Sequence, residues 1–310
     1  MRNHFIKTLS ELIRENRDIY LITGDLGFSV FENLMESYPD QFINVGVAEQ
    51  NMIGVASGLA KEGKIPFVYS IANFPIMRCL EQIRNDICYH DLNVKIVSVG
   101  AGYSYGSLGY THHGLEDMAV MGTMPGMKVI APGDPIETKL ATKSIAQELG
   151  PCYLRLGKSG EPLVHEMEPD FSIGKAIILR NGSDVSLIST GSILDEVVKA
   201  SNCLEEAGIS SGVISMHTVN PIDANFLKSL VRSKLIVTIE EHSHFGGLGS
   251  SVIHALSSEG PITTPIAMLN AGGDITREIG SQTWFRKKIG IDSDSIYTIV
   301  QEKLAELNHF

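Results

Sequence analysis

Cysteine is scarce and scattered. Cys79, Cys88, Cys152 and Cys203 are all there is in 310 residues, with no Cys-x-x-Cys pair and no histidine at a matching spacing. That excludes a disulfide framework or a zinc site legible from spacing, and leaves reduced thiols in a core. Basic charge is the minority: 25 Lys plus Arg stand against 36 Asp plus Glu, a net charge of −11. With no basic run and no basic–aromatic cluster, nucleic acid has no electrostatic claim as a partner. No apolar stretch is long and uncharged enough for a membrane span. The N-terminal segment spaces Phe5, Leu9, Leu12 and Ile13 as an amphipathic helix broken by charges, unlike a secretory signal. The chain therefore reads as a soluble, cytoplasmic protein with no metal site of its own, and no repeat or low-complexity segment interrupts it.

What is present is length and rhythm. A hydrophobic content of 43% over 310 residues suffices for two cored domains. Apolar strand candidates at Ile19–Thr23, Ile65–Tyr69, Val94–Val99, Lys128–Ala131 and Cys152–Leu156 alternate with helical patterns near 4–16, 49–62, 75–90 and 135–149. This predicts an α/β domain over 1–160 with a mostly parallel sheet flanked by helices. Residues 161–171, acidic and bearing Pro162 and Pro169, read as a linker. The rhythm then restarts in a second α/β unit over 172–310. Its strand candidates are Val185–Thr190, Ser211–Ser215, Leu235–Glu240 and Ile266–Leu269, with helices near 193–207, 223–232 and 247–258.

Glu49 is the only charge in the run from Phe42 to Ala60, among Met52, Ile53, Val55, Ala56 and Leu59. Burial there disfavours the charged form of a carboxyl, which would suit an acid that donates a hydrogen bond. A second reading stays open on the residues alone, namely an acid in the first turn of a helix that favours the helix dipole.

The words around Glu49 decide between them. Gly24-Asp-Leu-Gly, Asn44-Val-Gly-Val-Ala-Glu49-Gln-Asn-Met, Glu81-Gln-Ile-Arg-Asn-Asp86, Tyr110-Thr-His-His-Gly-Leu-Glu-Asp117 and Val129-Ile-Ala-Pro-Gly-Asp134 occur in this order. Asp184-Val-Ser-Leu-Ile-Ser-Thr-Gly-Ser192, Thr218-Val-Asn-Pro-Ile-Asp223 and Glu240-Glu-His-Ser-His-Phe-Gly-Gly-Leu-Gly-Ser250 follow. Together they closely resemble the C-terminal half of transketolases, along nearly the whole chain.

The resemblance implies a pyrimidine-binding domain followed by a transketolase C-terminal domain. It implies that Glu49 protonates the aminopyrimidine ring of thiamine diphosphate, so activating the thiazolium carbon. It implies that Phe74 stacks on that ring, where the residues alone favour an ordinary core phenylalanine. His112 matches a histidine that contacts the substrate carbonyl and hydroxyl; His113 stands behind it, and Glu116 and Asp117 cap a helix or organise the loop. Ser29 and Arg155 match positions that grip a substrate phosphate, with Arg2 a third candidate, and Asp25 contacts substrate or stabilises its turn. Outside the resemblance, Arg155 reads equally well as a strand-end charge. Gly246 to Ser250, between a strand and a helix, has the setting of an anion-binding loop, though tight packing explains its glycines as well; His242 and His244 beside it read as interface or loop residues rather than catalysts.

Two departures from the family pattern matter. Gly106-Ser-Leu-Gly-Tyr-Thr-His112 puts Leu108 where an aspartate usually reads a substrate hydroxyl, and Gly100 stands where a further substrate histidine is usual. A site relieved of that acid suits a deoxy or otherwise modified sugar. Second, Gly24-Asp-Leu, Gly133-Asp-Pro and Gly273-Asp-Ile are present, but the Gly-Asp-Gly that anchors magnesium and diphosphate is not. The resemblance implies a split enzyme in which an N-terminal partner subunit supplies that motif and holds Mg²⁺, with thiamine diphosphate between the two chains in an α₂β₂ assembly built on a β–β dimer. The expected activity is transfer of a two-carbon ketol unit between sugar phosphates or related sugars. The alternatives are a 2-oxoacid dehydrogenase E1 β-like or other acyl-transferring thiamine subunit, and a non-catalytic assembly or regulatory subunit.

Overall fold

Strands β1 (Ile19–Thr23), β2 (Phe42–Asn44), β3 (Ile65–Ile71), β4 (Lys95–Val99), β5 (Lys128–Ile130) and β6 (Cys152–Leu156) form a parallel sheet in the computed structural model, which describes residues 1–27, 30–230, 233–258 and 260–307. The order is β5-β6-β4-β3-β1-β2. Strands β4 and β6 are buried throughout, Lys95, Ser98 and Arg155 included, as expected of parallel strands covered on both faces. The helices are α1 (Arg2–Glu15), α2 (Glu32–Ser37), α3 (Glu49–Lys61), α4 (Phe74–Met77), α5 (Leu80–Gln82), α6 (Asp117–Gly122) and α7 (Pro135–Gln147). On one face Phe5, Leu9 and Ile13 of α1 and Ile145 of α7 pack on Leu21, Phe67, Val97 and Leu154. On the other, Met52, Ile53 and Ala56 of α3 pack on Ile22, Val68, Ile96 and Tyr153. Each such fully buried side chain is worth about 1.5–3 kcal/mol over exposure. Asp134 starts α7, accepting from the Glu137 amide at 2.8 Å, with Pro135 at the first helical position.

The second sheet runs β12-β11-β8-β9-β7, from β7 (Ile177–Arg180), β8 (Val185–Thr190), β9 (Ser211–Ser215), β11 (Leu235–Glu240) and β12 (Ile266–Leu269); only β7 is antiparallel. Helices α8 (Leu194–Glu206) and α12 (Ser293–Leu307) cover one face, and α9 (Ala224–Ser229) and α10 (Leu248–Ser257) the other. Helix α11 (Gln282–Lys288), capped by Ser281 at the Trp284 amide, turns instead toward the first domain.

The two units interlock. Strand β10 (Thr218–Asn220), from the second half of the chain, pairs antiparallel with β5 and completes a seven-stranded first sheet. The connecting segment is pinned rather than loose. The Val164 and His165 amides donate to Asp134 Oδ2 at 3.0 and 3.1 Å, and the His165 ring lies 2.8 Å from Glu137 Oε1. No helix among the described residues is long and apolar enough to cross a membrane.

Candidate active site

The segments that follow β1, β2, β3 and β4 gather at the carboxyl edge of the first sheet, the edge where open α/β sheets bind ligands. Glu49 is the first residue of α3 and only 4% exposed, so it is at once a first-turn acid and a buried one. Its surroundings are not wholly apolar. Arg78 Nη1 donates to Glu49 Oε2 at 3.0 Å, and the Arg78 guanidinium lies 4.8 Å from the centroid of the Phe74 ring. Phe74 opens α4, half-buried, and the His112 ring meets it edge-on at 5.3 Å. Glu49, Arg78, Phe74 and His112 thus form one chain of contacts.

Asp25 sits on the border of this group. It adopts φ +57°, held by a reciprocal pair of 3.0 Å bonds: the Asp25 amide to Asn44 Oδ1, and Asn44 Nδ2 to Asp25 Oδ1. The neighbouring Gly24 faces Glu49; a Cβ there would stand 3.8 Å from Glu49 Cγ. Ser29 lies outside the described residues.

The loop from Gly100 to Gly114 carries His112. Its neck is a pair of bonds, Gly102 amide to Gly114 carbonyl at 2.8 Å and the reverse at 3.0 Å, and Asn73 donates to the His113 carbonyl beside them. His113 is buried against Tyr103, Tyr110 and Phe285, and burial lowers its pKa. Gly100 has φ +98°, and a Cβ there would fall 2.3 Å from the Tyr105 ring, so an aromatic fills the space a side chain at 100 would need.

Arg155 is enclosed. It is 2% exposed, and its donors face inward: Nε to Asp117 Oδ2 at 2.7 Å, Nη2 to the Gly114 carbonyl at 2.7 Å and to the Glu241 carbonyl at 2.9 Å. The enclosed guanidinium joins the two domains at the neck of the His112 loop. Burial opposes the charge of Asp117, but Arg155, His242 and the Tyr153 hydroxyl hold its carboxyl below the usual range. Asp117 therefore organises the loop through Arg155 instead of capping α6.

The Gly246–Ser250 loop also has an internal answer. The Leu248 and Gly249 amides at the start of α10 donate to the two oxygens of Glu240 at 2.7 and 2.9 Å, so the anion is the protein's own carboxylate. His242 is buried at the domain junction, accepting from the Ala119 amide at 3.3 Å; burial depresses its pKa to about 4. Among the described residues no group of three or more His, Cys, Asp or Glu side chains could hold a metal ion.

In the sequence Arg78 is no more than a spacing mark. The signal that could have singled it out is its place as the cation closest in sequence to Phe74, four residues on. Asn44 and Asn73, which fix the Asp25 turn and the His113 carbonyl, carry no distinguishing pattern.

A model of the transketolase pyrimidine binding domain matches residues 1–161, and one of the transketolase C-terminal domain matches residues 174–296. The chain belongs to the transketolase family. Membership implies dependence on thiamine diphosphate. The transketolase chain is 38% identical over 309 residues to a putative transketolase C-terminal section of Methanocaldococcus jannaschii, covering 98% of this chain and 96% of that protein. It is 39% identical over 268 residues to a subunit of the apulose-4-phosphate transketolase of Phocaeicola vulgatus, covering 86% of each. A solved structure described as a split gene transketolase, inactive beta4 tetramer, has a TM-score of 0.87 at 37% identity, over 98% of this chain and 97% of that one.

Proposed function

We propose that this chain is the β subunit of a split transketolase. With an N-terminal partner that carries Gly-Asp-Gly and Mg²⁺, it transfers a two-carbon ketol unit between sugar phosphates or modified sugars, in the cytoplasm and as an α₂β₂ assembly. Thiamine diphosphate, lying between the subunits, supplies a carbon that accepts the ketol unit and delocalises its charge.

The observation that carries the reading is the position of Arg78. Its guanidinium is planar, donates to Glu49 and lies over Phe74. An aminopyrimidine ring is also planar, also bonds a carboxyl group and also stacks on an aromatic face. The place fits the cofactor because another flat donor already occupies it, and Arg78, half-exposed, is free to leave. Glu49 would then hold the proton for the ring and Phe74 support its face, while His112, edge-on to Phe74, would bond substrate oxygens with help from Asp25. The apulose-4-phosphate relative and the absence of an acid at Leu108 both favour a modified sugar.

The test is calorimetric titration of the purified chain with thiamine diphosphate and Mg²⁺, alone and with the partner subunit. Weak or absent binding alone, and binding with ketol transfer on reconstitution, are expected. Micromolar binding by the isolated chain would sink the split arrangement.

A further inference from the structure

Helix α11 belongs by sequence to the C-terminal domain, yet it faces the loop that carries His112. Phe285 stacks on Tyr103 with ring centroids 4.3 Å apart and planes 8° from parallel. Gln282 Nε2 donates to Ser104 Oγ at 3.3 Å and to Glu241 Oε2 at 2.7 Å. The Gly280 amide donates to the Gly106 carbonyl at 3.3 Å, and a Cβ on Gly106 would stand 2.7 Å from the Gly280 carbonyl oxygen and 2.8 Å from the Phe285 ring. The helix is itself anchored in its own domain, through Arg286 Nη2 to the Ser192 carbonyl at 3.1 Å and to Glu241 Oε2 at 2.9 Å. At the other end of the loop, Arg155 ties the Gly114 carbonyl to the Glu241 carbonyl.

The loop is thus held at both ends by one domain. Tyr103, Ser104 and Gly106 are gripped by α11 and the Gly280 turn before it, Gly114 is joined to Glu241, and His112 lies between them with short-range bonds, its amide to the Gly109 carbonyl at 2.9 Å and its Nδ1 3.0 Å from Thr111 Oγ1. Glu49, Arg78 and Phe74, by contrast, make no hydrogen bond or ring contact with the C-terminal domain among the described residues.

We propose that the C-terminal domain acts as a clamp on the substrate loop, with Phe285 and Gln282 as positioning residues that hold His112 in register with Phe74 and leave cofactor activation to the first domain. The kinetic part rests on the transketolase reading above; the clamp itself does not. It gives the C-terminal domain a task that its distance in sequence from Glu49 conceals.

The test compares Phe285→Leu, which keeps bulk and removes the stack, and Gln282→Ala with Tyr103→Phe, which keeps the stack. Backbone amide hydrogen exchange is read first on the purified chain. In Phe285→Leu and Gln282→Ala the amides of residues 102–114 should exchange about tenfold faster, as expected from losing one aromatic pair or one buried polar contact, while strands β1 and β3 stay protected. Tyr103→Phe should match the wild type. In the complex reconstituted with the partner, KM for a ketose phosphate donor should rise by about the same factor with kcat less affected, and deuterium exchange at the thiazolium carbon should not change. Unchanged loop exchange overturns the clamp, as does faster exchange spread evenly over both sheets. A parallel fall in thiazolium exchange overturns the division of labour. Because loop exchange is read without turnover, failure of the clamp and failure of the transketolase reading are distinguishable.

Discussion

Arg78 and Glu49 form an ion pair of unequal burial: the guanidinium is 49% exposed, the carboxylate 4%. The exposed partner leaves at little cost, whereas the buried one must find a replacement donor. Arg78→Ala should therefore destabilise the isolated chain by roughly 1 kcal/mol, after allowing for screening at the exposed end. In a Glu49→Gln background the same substitution should cost almost nothing. Urea denaturation of the four proteins in the cycle measures the coupling, and equal losses in both backgrounds would show that the pair is incidental.

Glu49→Gln keeps the shape and still accepts the Arg78 bond, so the fold and assembly should survive. An amide has no acidic proton to give. In the reconstituted complex, turnover and deuterium exchange at the thiazolium carbon should both fall by about 10²–10⁴-fold, the usual weight of a positioned acid or base. An exchange rate equal to wild type would remove Glu49 from cofactor activation.

Much of this architecture is legible in the residues. Strands β1, β6, β8, β9 and β11 appear with their observed bounds because each centres on two or more consecutive apolar residues between turn signals. Strand β10 does not, since Thr218-Val-Asn220 is three residues long and its sheet belongs to the other domain. The helical pattern over 75–90 breaks into α4, α5 and a π-helical turn at Ile83–Cys88, which no apolar periodicity announces. Arg155 shows the limit for sites. A strand-end arginine looks the same whether it faces solvent or a carboxylate 38 residues upstream, and only folding brings Asp117, Tyr153 and Glu241 around it.

That enclosure predicts the outcome of removing Arg155. Arg155→Met would leave the fully buried Asp117 without its cation and the Glu241 carbonyl without a donor, and the Gly114 carbonyl with only the Gly102 amide. A loss of about 3–5 kcal/mol is expected, read as a lower urea midpoint. A loss below about 1 kcal/mol would mean the guanidinium is more solvated than its surroundings indicate.

Glu240 makes stability depend on pH. Burial raises its pKa from the ordinary 4.5 to about 7, against the Leu248 and Gly249 amides and Arg155, which lower it, with Asp117 adding to the rise. A carboxyl whose folded pKa is raised contributes stability that is complete below the unfolded value and is lost as pH climbs through the folded one. Between pH 4.5 and 7 the wild type should therefore lose on the order of 3 kcal/mol relative to Glu240→Gln, whose side chain does not titrate. His217 and His242 work in the opposite sense. Burial depresses both from 6.5 to about 4, so their contribution is present above pH 6.5 and lost as pH falls toward 4. Paired denaturation curves of wild type and Glu240→Gln across about pH 4.5–8 isolate the Glu240 effect, and a pH-independent difference would refute it.

Leu108 is 54% exposed, in a short turn at Gly106–Leu108 four residues before His112. Its side chain has neither donor nor acceptor. A sugar hydroxyl desolvated against it loses its water without gaining a partner, at a cost of about 1–3 kcal/mol, roughly five- to hundredfold in kcat/KM. A donor lacking that hydroxyl escapes the cost. Wild-type complex should therefore prefer the deoxy member of a matched pair of ketose phosphate donors, and Leu108→Asp, which restores an acceptor, should reverse the order. The substitution is at an exposed position, so folding should be unaffected and the comparison clean. If wild type favours the hydroxylated donor as strongly as Leu108→Asp does, residue 108 does not read the sugar, and the chain is to be treated as part of an ordinary sugar-phosphate transketolase.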